Sequence, residues 1–236
     1  MNPTTAIFRN SVFFFVLLPV FAVIGFWITY FARPSGTVHP YEHFHGMAMF
    51  GWCLMLIVQS FLIRTSRRDI HRQVGKLSFV LAPIIVVSTI LLANYKLNVR
   101  GLTDDGVYIF SLQVFLLIQW IVPYALAMKN RKTPDVHARW MICTAMSLID
   151  PIFARILFFN FFEAPFSSGI FEYFTYSFVN LILITLIVWD WRSNRRRDVF
   201  LPMLFIALAT QLPSFFVVGS SIWMSFASWY IQLPLS

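Results

Sequence analysis

Seven apolar runs of about twenty residues each, separated by short polar loops, constrain this chain more than any other feature. They fall at about 11–31, 43–63, 70–93, 107–128, 136–159, 171–191 and 199–218. A helix of ~20 residues crosses the hydrocarbon core of a bilayer, and helices satisfy their own backbone groups where no water is at hand. The expected fold is therefore all-α: a polytopic membrane protein with seven transmembrane helices. It forms a single domain over 1–236, with a motif-bearing core at 38–157 and peripheral helices at 1–37 and 164–236. The first run is too long for a secretory signal, and no small-residue cleavage site follows it. Pro213 is expected to kink the last run, and the tail with Trp223, Trp229 and Tyr230 suits the aromatic membrane interface.

Charge is scarce, at 12% of residues, and it is placed unevenly. Thirteen of the 18 Lys and Arg lie in three short loops, 64–76, 129–139 and 192–197. Cations in short loops mark the cytoplasmic side of a span. The net charge of +8 thus reports topology rather than a nucleic-acid partner. The N-terminus is expected inside and the C-terminus outside a bacterial inner membrane, with the lipid bilayer as the first partner. Cys53 and Cys143 fall inside apolar runs and read as small buried hydrophobes.

The five histidines sort by side. Asp69-Ile70-His71 and Asp135-Val136-His137 open the third and fifth runs with one Asp-x-His signature. His137 and Arg155 are five helical turns apart, roughly 27 Å, so they mark the two ends of one span. Two histidines of equal depth on two helices can hold a haem iron from opposite sides. On that reading haem b sits between His71 and His137, with Gly75 leaving room for the macrocycle. Arg72, Lys76 and Arg139 then pair with its propionates.

At the other end, His39, Glu42, His43 and His45 form a His/Glu group of the kind that binds zinc or copper. Five further polar residues, Gln59, Gln113, Gln119, Asp150 and Arg155, lie inside the runs. Intramembrane polar residues of this sort mark pathways or helix-to-helix clamps. Asp150 and Arg155 sit about 140° apart around one helix, so each is expected to seek a partner elsewhere, with the glutamines at hand.

These residues also carry a resemblance. His45-Gly46 with Gln59, then His71-Arg72-Gln73-Val74-Gly75-Lys76, then His137-x-Arg139-Trp140-Met141 with Arg155, resemble a bacterial membrane family called domain of unknown function 2306. The likeness covers about 38–157 and implies a motif pattern without an activity. More loosely, the chain is similar to the transmembrane di-haem b cytochromes that pass electrons from ascorbate. That similarity implies one haem held by His71 and His137; a second pair would need a histidine on the fourth run, and none is there.

Three functions remain in view. The first is electron transfer or haem handling through haem b, with a redox partner. The second is a haem-free transporter or sensor for a small, apolar ligand, its cavity lined by Asp150, Arg155 and the glutamines. The third is a metalloprotein using the outer His/Glu group. No nucleophile–histidine arrangement or phosphate loop assigns an enzyme class.

Overall fold

The computed structural model describes residues 3–34, 36–160, 170–194 and 196–235. Eleven α-helices and one π-helical turn make up the described chain: α1 (Pro3–Gly25), the turn Trp27–Phe31, α2 (Pro40–Arg64), α3 (Arg68–Gly75), α4 (Ser78–Arg100) and α5 (Asp104–Lys129). They continue as α6 (Pro134–Cys143), α7 (Met146–Asn160), α8 (Ile170–Asn194), α9 (Phe200–Gln211), α10 (Pro213–Phe216) and α11 (Ser221–Ile231). Sequence neighbours pack together, α1 with α2, α2 with α4, α4 with α5 and α8 with α9, while α1 on α7 and α5 on α9 close the bundle.

Five helical stretches are long and apolar enough to cross a bilayer: Pro40–Arg64, Arg68–Arg100, Asp104–Lys129, Pro134–Phe158 and Phe171–Ser193. A sixth results if Phe200–Phe216 and Ser221–Ile231, bent by 94°, count as one span. Five or six such stretches, rather than seven, is the number among the described residues. Phe13, Met47, Val80 and Leu181 point outward and are exposed, as expected where lipid is the solvent. The architecture is compatible with a multi-pass membrane protein in a bilayer.

Local chemistry explains most element ends. Pro40 is the first residue of α2, where its missing N–H costs nothing. His39 caps that end: its Nδ1 accepts from the Tyr41 N–H at 3.3 Å, and its own N–H donates to Glu42 Oε2 at 2.9 Å. Thr103 Oγ1 accepts from the Gly106 N–H at 3.1 Å to open α5, and Asp104 and Asp105 favour the positive end of the dipole. Asp69 is not a cap: α3 starts after Arg67, and Asp69 lies in its first turn, exposed, 3.8 Å from Arg72.

Three expectations change. The segment after residue 93 is not a loop; α4 continues to Arg100, because Asn94 is fully buried and donates to the Tyr230 carbonyl at 2.8 Å. The fifth run is not one unbroken helix but divides at Thr144–Ala145 into α6 and α7. There Thr144 Oγ1 donates to the Met141 carbonyl at 2.7 Å and takes the Trp52 indole N–H at 3.3 Å. The tail becomes α11, which buries Trp223, Ala227 and Tyr230 against α4 and α5. The boundary expected at residue 164 lies outside the described residues.

Trp52 anchors the core. It meets Trp120 edge-on at 4.9 Å and Tyr124 at 5.5 Å, and Trp120 stacks on Tyr124. Aromatic pairs in these geometries add to what burial alone contributes.

Candidate functional site

At the end of the bundle opposite the basic loops, α5, α8 and the α9–α10 bend diverge around a cavity of about 950 Å³. Its wall includes Tyr108 from α5, Glu172, Tyr176 and Asn180 from α8, and Gln211 and Ser214 from the bend. Pro213 shapes this end: without an amide hydrogen it cannot continue α9, and the chain restarts as a single turn. The freed groups are re-satisfied locally, since Ser214 Oγ donates to the Gln211 carbonyl at 2.6 Å.

Part of the wall is tied down. The Tyr176 hydroxyl meets Ser214 Oγ at 3.2 Å, and the Asn180 amide donates to Gln211 Oε1 at 2.9 Å. The rest is less tightly held. Among the described residues, Asn180 Oδ1 has no hydrogen-bond partner, and Glu172 Oε2 has the Tyr108 hydroxyl within reach but no close hydrogen bond. Behind the wall, Asp150 Oδ1 and Thr175 Oγ1 stand in the same relation. Glu172 and Asp150 are 2% and 5% exposed, and each buried polar group left unpaired costs on the order of 1–3 kcal/mol. Asp150 is close enough to Glu172 and Tyr176 for their charges to interact. Buried oxygens without close hydrogen bonds, around an open volume, form a receptor for a hydrogen-bond donor or a cation.

The other intramembrane residues go elsewhere. Arg155 donates to the Pro151 carbonyl at 2.8 Å and lies over the Phe26 ring at 4.1 Å. It does not bond to a glutamine. Gln119 Oε1 accepts from Thr210 at 3.0 Å, whereas Gln113 Oε1 has no partner among the described residues. None of Asp150, Arg155, Gln59, Gln113 and Gln119 lines the cavity.

At the basic end, His71 and His137 do meet. Their ring centres are 6.4 Å apart with planes crossed at 84°. Two imidazoles opposed across one ion, at about 2.0 Å per bond, have ring centres roughly 6 Å apart. The surroundings argue otherwise for haem b. The Gln59 amide, oriented by its hydrogen bonds, donates to the His71 carbonyl and ring Nδ1 and accepts from the Gly75 N–H at 2.9 Å. His71 then carries its proton on Nε2, the nitrogen an iron would need bare. The Gln59 amide lies 3.7 Å from where a Gly75 Cβ would stand, so the room beside Gly75 is filled. His137 Nδ1 faces the Ala127 carbonyl at 2.9 Å and must carry the proton there.

Of the cations expected to pair with propionates, one is engaged elsewhere. Arg139 is 1% exposed and forms a two-point pair with Asp190 of α8, at 2.8 and 2.6 Å. Arg72 and Lys76 are exposed. The residues present thus do not fit a macrocycle between the rings.

The outer His/Glu group does not converge. His39 caps α2 and stacks on Tyr95 at 3.7 Å. Glu42 pairs with Lys96 and, at 3.3 Å, with Arg33. His43 Nδ1 meets the Tyr30 hydroxyl at 2.7 Å, and His45 Nδ1 meets Ser88 and Thr89 at 3.3 and 3.4 Å. Among the described residues no group of three or more His, Cys, Asp or Glu is placed to hold a metal. Each of the four side chains expected to bind zinc or copper has a different neighbour here.

Sequence reasoning missed Glu172, although a signal was there. It is the sole charged residue between positions 164 and 189, and a lone ionisable group in an apolar span marks a functional position. Tyr108, Asn180 and Gln211 carry no comparable sign. Comparison with known protein families, curated proteins and solved structures finds no match to this chain.

Proposed function

We propose that this protein binds a small molecule in the cavity between α5, α8 and the α9–α10 bend, and acts as a transporter or sensor in the bacterial inner membrane. One observation carries the reading: Glu172 lines a volume of about 950 Å³, is 2% exposed, and has no close hydrogen bond to its carboxylate Oε2. Pockets of a few hundred to ~1,000 Å³ with a few convergent polar groups are the usual form of ligand sites. Tyr173 and Phe216 are exposed at the rim, so the cavity opens sideways from the bundle, where a ligand dissolved in lipid can enter.

The test is a thermal-shift screen of purified protein against small molecules of every charge class. The Ser177→Trp variant, which fills the exposed rim of the cavity, runs in parallel. Ligands of the cavity stabilise the parent and not the variant. If no compound of any charge distinguishes the two, the reading is wrong.

A second reading has the 6.4 Å ring separation of His71 and His137 in its favour: a haem or single-ion site at the basic end. The Gln59 hydrogen bonds weigh against both forms of it, and the Arg139–Asp190 pair against the haem.

A further inference from the structure

The chemistry of the wall narrows the ligand class beyond "small molecule". Among the described residues, the cavity is lined by two carboxylates, Asp104 and Glu172, and by no Lys, Arg or His. The carboxylate whose charge acts on Glu172 is Asp150, behind the wall, which in turn lies near Arg155. A buried carboxylate with no cation on the cavity side is electrostatically incomplete there.

The rings are arranged to match. Tyr173 stacks on Phe215 at 4.8 Å, and Tyr176 meets Phe215 edge-on at 5.8 Å, so the three form a corner of crossed aromatic planes. Tyr108 stands on the α5 side with its hydroxyl within reach of Glu172. Aromatic faces are attractive to cations, most of all to alkylated ammonium groups, whose weak hydration makes desolvation cheap.

We infer that the cavity takes organic ammonium cations, the charged nitrogen against Glu172 and its alkyl groups against the rings of Tyr108, Tyr176 and Phe215. This rests on the cavity being a ligand site, as set out above, and adds the charge and shape of what enters. The neutral Asn180 and Gln211 then serve the polar end of the ligand, and Asp104 at the exposed rim attracts it. An ammonium group can arrive as a free amine or as a phospholipid headgroup, and the sideways opening admits both.

Titration calorimetry on the full chain in phosphatidylglycerol nanodiscs tests this with choline and its neutral carbon isostere, 3,3-dimethylbutan-1-ol. Choline is expected to bind at least tenfold more tightly than the isostere. Glu172→Gln should lower choline affinity to the isostere's level, and Phe215→Leu should lower it several-fold with the isostere little changed. Equal affinity of the two probes for the parent protein, or unchanged choline affinity in Glu172→Gln, would overturn the assignment. If Glu172→Gln does not fold, the parent comparison and Phe215→Leu still decide. Repeating the titration with phosphatidylethanolamine in the nanodisc separates the sources: lost choline affinity marks the headgroup as occupant, unchanged affinity a free amine. Cavity-dependent binding of neutral or anionic compounds alone would reject the ammonium class and leave the cavity reading standing. Binding of nothing in any charge class rejects both.

Discussion

Arg139 of α6 and Asp190 of α8 form a two-point ion pair, Nε to Oδ2 at 2.8 Å and Nη2 to Oδ1 at 2.6 Å, with both side chains almost fully buried. The pair joins two helices 51 positions apart in the chain, and Arg139 Nη1 also donates to the Asp135 carbonyl at 2.8 Å. Removing one partner strands a buried charge, which costs about 3–5 kcal/mol. Asp190→Leu and Arg139→Met should each lower the unfolding temperature sharply. The double variant should recover much of the loss, because no lone charge then remains. Thermal unfolding in detergent of all three variants checks this; equal loss in the double variant would show that the pair itself stabilises.

Gly25 lets α1 approach α7. A Cβ there would stand 2.8 Å from the Ile152 carbonyl oxygen, a backbone atom that cannot rotate away. Gly25→Ala is expected to destabilise by about 1–3 kcal/mol, the usual cost of overpacking. Gly51→Ala serves as the control, since its nearest neighbour is the mobile Leu81 side chain at 3.5 Å. Comparable melting of the two variants would contradict the close approach.

The absorption spectrum of protein purified from haem-sufficient cells should show no low-spin haem band. The Gln59 amide on His71 and Gly75 is the reason. A strong band lost in both His71→Ala and His137→Ala, and kept in His45→Ala, would restore the haem reading.

Reporter fusions in the 65–67, 130–133 and 195–199 loops should all report the cytoplasm, from the placement of cations. A periplasmic signal from any one of them would invert the sides of the histidine pair and the cavity.

Arg196 donates to both carboxylate oxygens of Asp198, at 3.0 and 2.6 Å, which holds that carboxyl below its usual range. A depressed folded-state value contributes stability above the unfolded value, lost as the pH falls through the folded one. Acid should therefore weaken the α8–α9 connection, and Asp198→Asn should flatten that acid limb. The effect is small because both side chains are part-exposed. Unfolding temperature against pH for both proteins measures it.

The helical class was fixed by sequence alone, because a run of ~20 apolar residues without charge has one stable arrangement in lipid. So were the three cation-rich loops and the common depth of His71 and His137, since one signature opens both helices; that their rings meet is a matter of packing. What the sequence could not reveal was how each polar group would be satisfied, because that depends on side chains from distant segments. Gln59 finds His71, Arg139 finds Asp190, Asn94 finds Tyr230, and each link removes a residue from the role its local pattern implied. The last run departs from one straight span for a related reason: α11 turns back at the bend after Pro213 to bury Trp223 and Tyr230 on α4 and α5. The cavity was the least legible feature. It exists where three helices diverge, and only tertiary packing decides which oxygens are left there without a partner.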